Sequence, residues 1–257
     1  MGEKGHRTQV TRHKNRRLPH NIIRTISKSG LCSRKQALEL VMAGKVKING
    51  KVTLDPGHNP RKTDHILVNE KPLPESRKRY ILFNKPAGYV TTRKDELNRP
   101  TVYEFLKDIS DWVFPVGRLD LDSEGLLIFT NDTKFGNILT DPRYKVNRTY
   151  EVQIAGDLKD EDIERILKKG IDIGAGEKAH PTGLKILSKI DFSTWVEVCL
   201  EEGKNREIRR LFRALNRHVK RLIRTKYGPF KLGSIQPGKW VEINKIPPEF
   251  SKHFKQE

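Results

Sequence analysis

Two kinds of apolar pattern alternate along the second half of the chain. Tyr80-Ile81-Leu82-Phe83 and Gly125-Leu126-Leu127-Ile128-Phe129-Thr130 are short unbroken apolar runs near turn residues, which predict buried strands. From Thr149 the pattern predicts a strand over 150–154, a helix over 160–168, a strand over 184–187 and another over 195–200. A helix over 205–215 and final strands near Ile223 and Val241 follow. This β-α-β-β-α-β order is that of a ferredoxin-like half. In the last helix Ile208, Leu211, Phe212 and Leu215 recur at i, i+3, i+4 and i+7 as a core face. Arg209 and Arg213 flank that face, and Arg206 and Arg210 share a separate side.

The first part reads differently. Residues 1–16 are polar, basic and aperiodic, and are expected to be a disordered arm. A compact unit is expected over 17–76. Ile22, Ile23 and Ile26 make a short helical face, and Ser33 is placed to cap a helix running through Arg34 to Leu40. Gly44 stops that helix, Val46-Lys47-Ile48 alternates as a strand, and Asn49-Gly50 signals a tight hairpin. The proline- and charge-rich stretch 70–79 reads as a linker to a second unit over 77–247, with 248–257 as a C-terminal tail.

Charge changes the picture most. The 257 residues carry a net +19, concentrated in two blocks. Residues 1–79 hold net +13 and residues 204–226 net +9, leaving the other 155 residues at −3. Two separated basic blocks suit two contact surfaces for one polyanion, because Lys and Arg gain affinity by displacing phosphate counterions. No run approaches the roughly 18 apolar residues of a membrane span, and the N-terminus lacks a secretory-type apolar stretch. Cys32 and Cys199 lie 167 positions apart, with no metal-ligand spacing, as in a reduced cytoplasmic protein. No phosphate-loop, zinc-protease or hydrolase-elbow motif occurs.

The segment Val116-Gly117-Arg118-Leu119-Asp120-Leu121-Asp122-Ser123-Glu124-Gly125 is the richest in candidate chemistry. In an extended chain Asp120 and Asp122 would share a face and make a paired-carboxylate metal site. Arg118 argues against a cage for a hard cation. Taken alone, the segment also fits an acidic loop before a strand.

Two resemblances bear on these alternatives. Ser29-Gly30-Leu31-Cys32-Ser33-Arg34-Lys35-Gln36-Ala37 with Gly44-Lys45-Val46-Lys47-Ile48-Asn49-Gly50-Lys51 resembles the S4-like RNA-binding domain. The resemblance implies a helix-helix-strand module with Arg17, Arg34, Lys35, Lys45 and Lys51 on RNA. Such phosphate contacts position a protein without reading sequence.

Gly117-Arg118-Leu119-Asp120 followed by Gly125-Leu126-Leu127 resembles the catalytic motif of pseudouridine synthases. Asn84-Lys85-Pro86-Ala87-Gly88, Arg148-Thr149-Tyr150-Glu151-Val152 and Glu202-Gly203-Lys204-Asn205-Arg206-Glu207-Ile208-Arg209-Arg210-Leu211-Phe212 fit the companion motifs. These match the bacterial ribosomal RNA branch that carries an S4-like domain in front. The resemblance implies an α+β fold whose catalytic domain has a mixed, mainly antiparallel sheet with flanking helices. It implies Asp120 as nucleophile, Arg209 as the cation holding it ionised, and Tyr150 stacked on uracil. Ile208 would contact the base, Arg118 would fill the gap left by a flipped uridine, and Arg206, Arg210 and Arg213 would bind RNA. No cofactor and no metal are implied. The implied partner is ribosomal RNA, as a stem-loop or assembling subunit and with no membrane, for a cytoplasmic monomer. Asn205 leans toward the large subunit. The rival reading is a non-catalytic S4-type assembly factor.

Overall fold

The computed structural model describes residues 21–74 and 77–251. Arg17, the basic arm and residues 252–257 of the expected tail lie outside them. The chain divides into two compact units, with the division after Glu75.

In the first unit, helix α1 (Ile22–Lys28) is capped by the Asn21 side chain. Helix α2 (Arg34–Met42) opens on a capping box in which Ser33 and Gln36 satisfy each other's free amides. Its chain turns off at Gly44, whose φ of +67° is easy only for glycine. Strands β1 (Val46–Ile48) and β2 (Lys51–Val52) join through Asn49-Gly50, both at positive φ, the turn that matches strand twist. Strands β3 (Ile66–Val68) and β4 (Lys71–Pro72) complete a sheet in the order β2-β1-β3-β4. Lys71 and Pro72 are therefore not linker: Asn69-Glu70 makes a second tight turn that returns the chain to β3. Ile22, Ile26, Ala37, Val41, Val46 and Val68 close the core.

In the second unit a nine-stranded sheet runs through the whole body. Strands β5 (Tyr80–Lys85), β6 (Phe114–Pro115) and β7 (Glu124–Thr130) form one side. Helix α3 (Thr133–Thr140) leads to β8 (Arg148–Ala155), α4 (Asp160–Lys169) and the short hairpin β9 (Ile171–Asp172) and β10 (Lys178–Ala179). Strands β11 (Gly183–Ile190) and β12 (Ser193–Leu200) precede helix α5 (Glu207–Ala214) and β13 (Val219–Tyr227). Strands β14 (Phe230–Lys231) and β15 (Trp240–Glu242) and helix α6 (Pro248–Ser251) end the described chain. The order β11-β12-β8-β13 is wholly antiparallel, the ferredoxin-like arrangement, and β13 then joins β7 in parallel.

The two apolar patterns have a simple cause. Ile81, Phe83, Leu127 and Phe129 point into one core, and Tyr80, Leu82, Leu126 and Ile128 into the other. Strands buried on both faces read as continuous apolar runs. In β8 only Tyr150, Val152 and Ile154 enter a core, so that strand alternates. The expected tail is shorter than its sequence suggests, because Phe250 is 3% exposed and packs against Phe135 and Phe230.

Candidate active site

The Asp120 loop is held from two sides. Lys85 closes the apolar strand β5 fully buried, and its ammonium donates to the carbonyls of Pro86 (3.0 Å), Leu121 (3.3 Å) and Ser123 (2.7 Å). The Gly88 amide also donates to the Leu121 carbonyl, and the Thr91 hydroxyl to the Leu119 carbonyl. Burial pushes the Lys85 ammonium down to about 8, against the pull of Asp122, Asp120 and Glu124. The segment is not extended. The Ser123 amide donates to the Asp120 carbonyl at 3.1 Å, which makes residues 120–123 a turn.

Asp120 and Asp122 nevertheless face a common partner. Arg206 Nη1 lies 3.3 Å from Asp120 Oδ2 and 3.5 Å from Asp122 Oδ1. The two carboxylates are thus spent on a guanidinium, and no third metal-ligating side chain joins them among the described residues. Arg209, expected on Asp120, has its ion pair with Asp122 at 3.1 Å and donates to the carbonyls of Val219 and Asp122. The reason is where α5 begins. Arg206 stands outside the helix as its N-cap, with a left-handed φ of +47°, and only Glu207 starts the helical turn. Burial lowers the Arg209 pKa, while Asp122 raises it.

A cleft of about 350 Å³ opens over this loop. Gly117, Arg118 and Asp120 line it from the loop, Tyr150 from β8, Arg206 and Ile208 from around the start of α5. Arg118 is exposed, Asp120 is a third exposed, and Tyr150 and Ile208 show only an edge. Arg118, Asp120 and Asn205 also line an adjoining open cleft with Val90, Lys94 and Arg99. Four expected site residues from three distant segments therefore converge, while Arg209 braces the Asp122 side.

The expected RNA cations divide. Arg34, Lys35, Lys45 and Lys51 are exposed on the first unit, and Arg213 on the second. Arg210 is not available: it donates to the carbonyls of Ile173 and Gly174 and pairs with Glu177, tying α5 to the β9–β10 hairpin. Sequence reasoning assigned no role to Lys85, Arg148, Glu207 or Arg224. Lys85 had a signal, a lysine continuing an otherwise apolar strand. Glu207 had none: it is buried beside Glu202, and burial pushes it up to about 7 although the Lys204 amide donates to it.

The profile of the RNA pseudouridylate synthase family matches residues 79–214, and that of the S4 domain residues 23–66. This chain belongs to the RNA pseudouridine synthase family. A relative from Aquifex aeolicus, named an uncharacterized RNA pseudouridine synthase, is 40% identical over 85% of this chain and 88% of its own. The ribosomal large subunit pseudouridine synthase B of Bacillus subtilis is 35% identical over 86% of this chain and 90% of its own. A crystal structure of a pseudouridylate synthase superposes with a TM-score of 0.58 at 26% identity, covering 87% of this chain and 96% of that one. The synthase acts on RNA, and its S4 unit is the accessory RNA-binding module. Among the described residues no helix is long and apolar enough to cross a membrane.

Proposed function

We propose that this synthase converts one uridine of ribosomal RNA, with the large-subunit RNA favoured, to pseudouridine through Asp120. The observation that carries this reading is the convergence of Arg118, Asp120, Tyr150 and Ile208 on one cleft. The isomerisation breaks C1′–N1, turns the base and forms C1′–C5; N1 gains a proton and C5 loses one. A carboxylate nucleophile divides that change into manageable steps. The uridine leaves its stack at a cost of a few kcal/mol, with Arg118 taking its place in the RNA and Tyr150 and Ile208 holding the base. The exposed cations Arg34, Lys35, Lys45, Lys51 and Arg213, with Arg17, engage phosphates, whereas Arg206, expected among them, is taken up by Asp120 and Asp122. Arg209 acts through Asp122, which lies beside Asp120 in the same turn. The enzyme works as a cytoplasmic monomer without metal or cofactor. The preference for the large subunit rests on the name of the Bacillus relative and on Asn205.

Pseudouridine mapping of ribosomal RNA from cells with and without the gene tests the substrate. One large-subunit site should vanish on deletion; an unchanged map sinks the proposal. Asp120→Asn should restore no modification in the deleted strain while the purified protein keeps its RNA affinity. A non-catalytic assembly factor would instead be fully rescued by Asp120→Asn.

A further inference from the structure

We propose that Arg148 and Arg224 form a phosphate site in the cleft wall, which grips an RNA backbone phosphate next to the target uridine. The proposal rests on the reading that this cleft receives a nucleotide. Both residues line it. They stand on neighbouring strands, where Arg148 pairs in register with Tyr227 and Arg224 with Tyr150. Their guanidinium carbons lie 4.8 and 4.9 Å from the centroid of the same Tyr227 ring.

Neither cation has a carboxylate partner among the described residues. Arg148 donates to the carbonyls of Glu201 (3.1 Å) and Leu139 (3.2 Å) and to the Tyr227 hydroxyl (3.2 Å). Arg224 is 2% exposed; its Nε donates to the Leu126 carbonyl at 2.7 Å, and its buried Nη2 has no hydrogen-bond partner. Of the other cations lining this cleft, Lys204 pairs with Glu202 and Arg206 with Asp120, and Arg118 is exposed to solvent, where a lone charge is cheap.

A guanidinium as buried as that of Arg224 is normally paired, because desolvation without a counter-charge is costly, and that of half-buried Arg148 stands on the next strand. Two neighbouring unpaired guanidiniums call for an anion, and their planar forks suit a tetrahedral oxyanion. Uracil and ribose are neutral before reaction, so the permanent anion that RNA can bring here is its phosphodiester. Because Arg224 faces Tyr150 across the strand pair, the gripped phosphate lies next to the base that Tyr150 holds.

Inorganic phosphate is the first probe, titrated at constant ionic strength and followed by thermal denaturation of the full chain. The native protein should show a saturable rise in Tm that Arg148→Met loses. Arg148→Lys, which keeps the charge without the fork, should bind about tenfold more weakly, and Arg165→Met, on α4 outside the cleft, should behave as native. Equal rises in the native chain and Arg148→Met, or no saturable rise, overturn the site whether or not the chain is active. On the RNA identified by mapping, a neutral methylphosphonate at one phosphate flanking the target should weaken native binding about tenfold. It should leave the already weakened Arg148→Met unchanged, and the salt dependence of that variant should fall by about one ion. A further loss in Arg148→Met equal to the native loss would place the phosphate elsewhere.

Discussion

Arg206 reaches Asp120 from the wrong side of a helix start: its Nη1 lies 3.3 Å from Asp120 Oδ2, although the residue precedes α5 and holds a left-handed backbone. Had α5 begun one or two residues earlier, as its sequence periodicity suggests, Arg206 would project along the helix surface instead. The site thus uses two arginines in different ways. Arg206 holds the Asp120 carboxylate from solvent, and Arg209, mostly buried, fastens the turn that carries it.

Replacing the two should separate these duties. Arg206 and Asp120 are 45% and 35% exposed, so Arg206→Gln should change stability by less than ~1 kcal/mol. Its kcat/KM should fall about tenfold, equivalent to roughly 1.4 kcal/mol of lost transition-state stabilisation. Arg209→Gln loses an ion pair and charged bonds to two carbonyls, and should cost about 1.5–3 kcal/mol in urea denaturation. Equal stability losses in both variants would contradict this division.

Lys85 ties the pH dependence of activity to the Asp120 loop. Its folded value, about 8, lies below the ordinary 10.5, so the folded chain sheds the proton first. The contribution of this group to stability therefore rises as pH rises from about 8 to 10.5. Activity should move the opposite way above pH 8, because a neutral amine cannot donate to all three carbonyls. Lys85→Met should abolish that alkaline limb of the rate profile and run at the depressed level throughout. A native profile flat to pH 10 would remove Lys85 from the control of the loop.

Glu207 should leave a mark on stability above neutral pH. Its folded value of about 7 is raised above 4.5, so the folded chain keeps a proton that the unfolded chain releases. Stability from this group is whole below pH 4.5 and is lost as pH rises through 7. Glu207→Gln keeps an acceptor for the Lys204 amide and removes the ionisation. The variant should gain on the order of 2 kcal/mol over the native chain at pH 8 and little at pH 4.5. The comparison is read from urea midpoints at the two pH values.

Gly125 is required by its neighbour. It sits at φ +98° in β7, and a Cβ there would come within 2.4 Å of the Arg224 carbonyl oxygen. No flexible side chain can yield, since the clash is with the backbone of β13. Gly125→Ala should therefore lose about 3 kcal/mol or more. The urea midpoint should fall with an unchanged slope, and a loss under ~1 kcal/mol would show that the strands can part cheaply.

Much of the fold was legible because the controlling interactions are local or periodic. The Ser33 cap and the Asn49-Gly50 turn are short-range chemistry, and the core face of α5 needs only helical spacing. The unbroken runs of β5 and β7 announced burial on both faces before either core was known. Where nonlocal contacts decide, the reading failed. Phe250 looked like tail yet fills a core, whereas Lys71 and Pro72 form a local hairpin strand that their proline and charge content concealed. Arg210 looked like a free cation until the β9–β10 hairpin placed three carbonyl and carboxylate acceptors around it.

The same boundary runs through the site. Residue types and their order within the motifs by themselves determined the family and nominated the proposed cast: Arg118, Asp120, Tyr150, Ile208 and Arg209. Who touches whom belonged to the tertiary structure alone. Whether Arg206 or Arg209 meets Asp120 depends on one left-handed residue and on a buried lysine that folds residues 120–123 into a turn. Ion pairing depends on distances between side chains from segments 86 and 87 residues apart, and no spacing along the chain encodes those distances.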